Sequence, residues 1–228
     1  MIRAVTLDAT HTLIEPLDLV GAYAGVLARH GIEPGVEALG RAIVDAWAEI
    51  SAASDPARDR FAHEPGGARA FWRRYLERVC ALAGAERPSR FAAAELFDAF
   101  AHPELWRVYP DVLPALERLK GSGLRLAVVS NWDERLPALL ERLDLARWFD
   151  AVVVSAAVGV EKPHPRIFAV ALERLGLAAD AVVHVGDRQL DDVEGAKGAG
   201  LAALRLDRRG DGDLASLDQL IERLAAIA

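Results

Sequence analysis

The stretch MIRAVTLDATHTLI, residues 1–14, decides the fold. A largely apolar run from Ile2 to Leu7 stops at Asp8. Small and polar residues follow, and Leu13 and Ile14 resume the apolar character. Runs of the same kind return at 124–129 (LRLAVV), 151–154 (AVVV), 181–185 (AVVHV) and 201–206 (LAALRL). Short, β-branched, nearly continuous apolar segments suit a parallel sheet covered on both faces. Between them lie helical stripes: Leu136, Leu139, Leu140 and Leu143, then Ile167, Val170, Ala171 and Leu175. Strand and helix alternate from about residue 111 onward, which predicts an α/β fold, a doubly wound Rossmann-like parallel sheet.

Residues 17–106 break the alternation. Their pattern predicts helices over roughly 18–30, 36–53, 66–84 and 91–101, punctuated by Gly31, Pro34, Pro65-Gly66-Gly67 and Pro88, with no convincing strand. An α-helical domain is therefore expected to be inserted after the first strand. The expected division is a core of residues 1–15 and 108–228 and a helical block of residues 16–107.

The totals exclude several function classes. The chain has 228 residues, 52% of them hydrophobic, and no apolar run approaches a membrane span. The first strand begins almost at once, without the basic and apolar regions of a secretion signal. The single Cys80 rules out an internal disulfide and a cysteine-built zinc site. A soluble, cytoplasmic protein is expected. The net charge of −7 and the lack of a basic tract with interleaved aromatics argue against nucleic acid as a partner. Only Lys120, Lys162 and Lys197 are lysine among 27 basic residues, so a lysine here suggests a specific need.

In an open parallel sheet, ligands bind beyond the carboxyl ends of the strands. The first strand ends at Asp8 and the second at Ser130-Asn131. Lys162-Pro163 follows the third strand, and the fourth runs into Gly186-Asp187, with Asp191 and Asp192 just beyond. Asp8 with Asp187 makes an all-oxygen site suited to Mg²⁺. Ser130, the following amide at Asn131, and Lys162 would hold an anion. A cation shared between carboxylates and a phosphoryl group, with a lysine opposite, suits phosphoryl transfer. Asp8 is a candidate nucleophile. Neither G-x-x-x-x-G-K-[ST] nor G-x-G-x-x-G is present.

These stretches resemble the four motifs of the haloacid dehalogenase-like hydrolase superfamily. DATHTL is similar to its first motif, VVSN to its second, EKPHPRIF to its third and HVGDRQLDDVEGA to its fourth, in order, over essentially the whole chain. The helical block resembles the cap inserted after motif one. The resemblance implies Asp8 as nucleophile, Ser130 as a phosphate hydrogen-bond donor and Lys162 as the neutraliser of charge. It implies Mg²⁺ held by Asp8, Asp187, the Thr10 carbonyl and Asp192, the last as ligand or as support for one. Thr12 is expected to brace the loop by hydrogen bonds.

One position departs from the pattern. Family phosphatases usually carry a second Asp where this chain has Thr10, and it serves as general acid and base. Such help is worth about 10² to 10⁴ in rate. The expected function is therefore Mg²⁺-dependent hydrolysis of a small phosphorylated metabolite, slow or selective for good leaving groups. The alternatives are a metal-independent 2-haloacid dehalogenase and a non-catalytic binding protein of the same fold. His11 stands where the family usually has Gly; it is expected to face solvent or the cap, with substitution for the missing acid as the alternative. Asp191 is expected at the surface, His184 as a packed neighbour within its strand, and Cys80 as a buried structural thiol. Trp132 is a candidate lining residue of the substrate entrance. Small phosphorylated molecules are the expected partners, with no nucleic acid or membrane, and the chain is expected to be a monomer or homodimer.

Overall fold

A computed structural model describes residues 1–227. Strand β1 (Ala4–Leu7) is followed by a short β2 (Ile14–Pro16) and four helices, α1 (Leu19–Arg29), α2 (Val36–Ala52), α3 (Gly67–Leu82) and α4 (Arg90–Ala99). Then come β3 (Trp106–Val108), α5 (Val112–Gly121), β4 (Arg125–Ser130), α6 (Leu136–Arg142), β5 (Ala151–Val154) and the single turn α7 (Ser155–Val158). The chain closes with α8 (Pro165–Leu175), β6 (Val182–Gly186), α9 (Gly195–Gly198), β7 (Ala202–Arg205) and α10 (Leu220–Ile227). No helix among the described residues is long and apolar enough to cross a membrane.

The main sheet has five parallel strands in the order β5-β4-β1-β6-β7. The chain builds outward from β1 on one side, then returns to build on the other. The carboxyl end of β1 is thus the point where strand order reverses, which is where such sheets bind ligands.

Side chains alternate across each strand. Val5, Leu7, Leu126, Val128, Val183 and Val185 join the core layer that also holds Leu116, Leu119, Leu136, Leu139 and Leu220. Ala4, Ala127, Val129 and Val182 join the opposite layer with Ile167, Phe168 and Leu175. Burial on both faces explains why the strands read as continuous apolar runs. Helix α8 starts at Pro165, whose ring suits a first turn, and stops at Gly176 with φ of 60°.

Helices α1–α4 bury a core of their own, built on Tyr23, Leu27, Leu39, Ile43, Leu76 and Val79. Asp18 caps α1 by accepting the Gly21 amide, and Ser89 caps α4 by accepting the Ala92 amide. Cys80 is fully buried in this core. The two connections to the sheet pair with each other. β2 runs antiparallel to β3, with Ile14 opposite Val108 and Pro16 opposite Trp106. Sequence reading placed no strand near Trp106. Three residues carry too little alternation to register, and Pro16 masks the first.

Two polar clamps join the helical block to the sheet loops. Glu161 is 1% exposed, and its carboxylate accepts the Arg60 backbone amide at 2.6 Å and the Arg60 guanidinium at 2.8 and 2.5 Å. Asp133, equally buried, accepts the Trp72 indole at 2.7 Å and the Arg135 guanidinium, which lies 3.7 Å from the Phe97 ring centroid. Removing one partner of a buried ion pair strands the other charge, at about 3–5 kcal/mol. Arg60→Met is therefore expected to lower stability by about 3–5 kcal/mol in urea unfolding, with Glu161→Gln costing less; a loss under about 1 kcal/mol for Arg60→Met would refute the clamp.

Candidate active site

Asp8 follows β1, and its backbone amide donates to the Val185 carbonyl, so the residue continues the sheet ladder by one position. The residue is 7% exposed. Its Oδ1 accepts the Ser130 hydroxyl at 2.7 Å and the Lys162 ammonium at 2.7 Å. Both bonds fall on Oδ1, which leaves Oδ2 without a hydrogen bond among the described residues.

Lys162 comes from the loop between α7 and α8. Asn131 holds that loop by its backbone: its Oδ1 accepts the Lys162 amide at 2.7 Å and its Nδ2 donates to the Lys162 carbonyl at 3.0 Å. The Asn131 side chain therefore positions Lys162, a role separate from the anion contact expected of its backbone amide. The Lys162 ammonium also donates to Asp192 Oδ1. Burial works against this charge, but Asp192 and Asp8 outweigh it and raise the Lys162 pKa.

Asp192 sits on a π-helical turn, Gln189–Glu194, rather than on the first turn of an ordinary helix. Its Oδ2 accepts the Arg188 amide at 2.9 Å and its Oδ1 lies 3.1 Å from His184 Nε2. Burial alone would raise its pKa; Lys162 and the His184 hydrogen bond overcome this and hold it well below the usual carboxylate range. His184 is fully buried, which lowers its own pKa and favours the neutral ring. An ionised carboxylate only accepts, so the neutral ring donates from Nε2 to Asp192. Nδ1 is then an acceptor, and the Thr6 hydroxyl, 2.9 Å away, donates to it. Thr6 and His184 face each other in register on neighbouring strands.

Asp187 completes the cluster. Burial first, then the charges of Asp8 and Asp192, push its pKa up to about 7. One oxygen each from Asp8, Asp187 and Asp192 lies within 4.8 Å of the others. Oxygen-only donors suit a hard divalent cation.

The rest of the first loop is arranged differently from expectation. The Thr12 side chain is fully buried, but its hydroxyl has no hydrogen-bond partner among the described residues. The bracing falls to the backbone instead: the Thr12 amide donates to Ala9, and its carbonyl accepts Arg208 at 2.8 Å. His11 is exposed with φ of 64°, a conformation that favours glycine. The Thr10 hydroxyl accepts the Trp132 indole N–H at 2.8 Å. Asp191 pairs with Arg188 at 2.6 Å, outside the cluster.

Sequence reading gathered Asp8, Ser130, Lys162, Asp187 and Asp192, and the structure brings all of them together. It missed Thr6 and the polar role of His184. Their signal was present: each is a lone polar residue inside a strand that is otherwise apolar.

A family model for haloacid dehalogenase-like hydrolases matches residues 2–200. Haloacid dehalogenase-like hydrolase domain-containing protein 3 of Homo sapiens is 33% identical over 204 residues, covering 88% of this chain and 80% of that protein. A glyceraldehyde 3-phosphate phosphatase of Methanopyrus kandleri is 41% identical over 108 residues, 45% of this chain and 44% of its own length. Among solved structures, a 2-haloacid dehalogenase from Pseudomonas syringae pv. Tomato DC3000 superposes with a TM-score of 0.68, 30% identity and full coverage of both chains.

The close approach of Asp192 to the strand end makes a test. A Cβ on Gly186 would lie 2.2 Å from the Asp192 carboxyl carbon. Gly186→Ala is expected to push Asp192 off Lys162 and His184 and to destabilise the chain by about 1–3 kcal/mol in chemical unfolding. An unchanged midpoint would mean that this packing is loose.

Proposed function

The chain belongs to the haloacid dehalogenase-like hydrolase family, and on that premise we propose that it is a Mg²⁺-dependent phosphatase acting through Asp8 on a small phosphorylated metabolite. One observation carries the reading: a buried carboxylate held by Ser130 and Lys162 stands beside two further carboxylates within cation-binding distance. The phosphatase relative supports a small phosphorylated substrate.

In this reading the free oxygen of Asp8 attacks phosphorus. The bond from phosphorus to the leaving oxygen breaks, and that oxygen takes the electron pair. Water then attacks the phosphorus of the resulting aspartyl-phosphate, releasing phosphate and restoring Asp8. Lys162 neutralises the charge gathered on Asp8 and the phosphoryl group, and Ser130 fixes the carboxylate so that one oxygen stays free. Mg²⁺ would be held by Asp8, Asp187 and the Thr10 carbonyl, with Asp192 as ligand or as support for one, and would supply further charge neutralisation. Thr10 cannot transfer a proton at neutral pH, so leaving groups that depart as stable anions, such as aryl and acyl phosphates, react best. The helical block of residues 16–107 serves as a cap that excludes water and selects the substrate.

A second reading, 2-haloacid dehalogenase, is favoured by the 30% identity to the Pseudomonas enzyme and by the absence of an acid at Thr10. There Asp8 would attack carbon and halide would leave with the bonding pair. Two assays separate the readings: phosphate release from an aryl phosphate with and without Mg²⁺, and halide release from a 2-haloacid. Mg²⁺-dependent phosphate release that falls on the order of 10³-fold or more in Asp8→Asn is expected. Halide release without Mg²⁺, and no phosphate release, would favour the second reading.

The electrostatics give an independent prediction. Asp187 holds its proton up to about 7 in the folded chain, against an ordinary value of 3.8. Between those values the unfolded chain has already lost the proton, so the chelated protein is expected to lose stability as pH rises from about 4 to 7. The facing charges are Asp8, Asp192, Lys162 and Arg188. Asp187→Asn removes the conflict and is expected to raise the Tm of chelated protein at pH 8 by about 2–4 °C. It should also abolish the Tm gain on adding Mg²⁺. An equal Mg²⁺ gain in both proteins would remove Asp187 from the site.

A further inference from the structure

Among the described residues, two side-chain hydrogen bonds tie the loop after β1 to the end of β4 and the loop beyond it, and only one belongs to the chemistry above. Ser130 donates to Asp8 at 2.7 Å. Two residues further along each loop, the Trp132 indole donates to the Thr10 hydroxyl at 2.8 Å. The second rung lies on the residue that stands where an acid would be expected.

Trp132 is well braced for this contact. Its amide donates to the Ser130 carbonyl at 3.0 Å, and its carbonyl accepts the Ala156 amide and the Ser155 hydroxyl, each at 3.2 Å. Its ring packs on Trp106 with centroids 5.3 Å apart, and the Trp106 indole is itself tied to the Phe100 carbonyl. An indole N–H donates and never accepts. The bond therefore occupies a lone pair of Thr10 Oγ1 and leaves the hydroxyl hydrogen unused. It also selects one rotamer of a side chain that is stiff at χ1.

We propose that Trp132 is a positioning residue that turns Thr10 into a fixed hydrogen-bond donor for the leaving oxygen of a bound phosphate ester. This rests on the phosphatase reading. When the bond from phosphorus to oxygen breaks, the departing oxygen holds the electron pair and accepts the Thr10 O–H; its proton comes from water after release. Thr10 stabilises the developing anion without protonating it. The donor matters most where charge on the leaving oxygen is greatest, in alkyl phosphates, and least in aryl phosphates whose anions are already stable.

The test measures kcat and KM for an alkyl phosphate and for aryl phosphates of graded leaving-group acidity. The proteins are wild type, Thr10→Val, Trp132→Phe and the double variant. A hydrogen bond is worth roughly 1 kcal/mol, so each single variant is expected to lower kcat about fivefold to tenfold on the alkyl ester, less on the best aryl ester, with KM little changed. The double variant should match the singles, because both remove one interaction. A readout independent of turnover is the Trp132 indole signal in an ¹H–¹⁵N spectrum, assigned from Trp132→Phe, which is expected to move in Thr10→Val. An unmoved signal, additive losses, or losses equal across leaving groups would overturn the proposal while leaving the phosphatase reading intact. A wild type that releases no phosphate from any ester would overturn both.

Discussion

The buried ammonium of Lys162 is the interaction on which the site depends. It is 3% exposed, and it meets Asp8 on one side and Asp192 on the other. An isolated charge at that depth would be very costly, and the two carboxylates reverse the balance. The dependence runs both ways, since the ammonium lies between two carboxylates that would otherwise repel each other. Burial, with the charges of Asp8 and Asp192 added to it, lets Asp187 retain its proton up to about 7. A divalent cation bound by these carboxylates would offset their charge, as the proposed phosphoryl transfer needs.

Support for this pair reaches into the sheet. Thr6 sets the tautomer of His184, His184 donates to Asp192, and Asp192 holds Lys162. The chain of bonds starts on β1 one layer beneath Asp8 and returns to Asp8 through Lys162. Every member is nearly or fully buried, so each bond is strengthened by a low local dielectric and each would be costly to leave unmade. Gly186 permits the arrangement, because any side chain there would occupy the space of the Asp192 carboxyl.

The loops that carry the site also carry the helical block. Glu161, which clamps Arg60, immediately precedes Lys162. Asp133, which accepts the Trp72 indole, lies three residues beyond Ser130. Movement of the helices against the sheet must therefore pull on the loops that hold Asp8's partners. The β2–β3 ribbon, where both connections pair, is a further link between the two parts.

Much of this was legible in the residues. The five apolar runs are the five strands to within two residues at each end, because a sheet buried on both faces leaves no room for polar alternation. The four helices of the inserted block follow from their stripes and their Gly and Pro boundaries. Asp8, Ser130, Lys162, Asp187 and Asp192 were identifiable because a parallel sheet sends every strand end to the same edge. The tertiary structure alone decided how these groups divide the work. Asn131 grips a backbone, Thr12 makes no side-chain hydrogen bond among the described residues, Thr10 meets Trp132, and His184 joins the charged network. The bonds of Asn131 to Lys162, Trp132 to Thr10 and Thr6 to His184 join residues 31 to 178 positions apart in the chain. Residue type and spacing determine what a strand end can offer; only packing determines which oxygen receives which hydrogen.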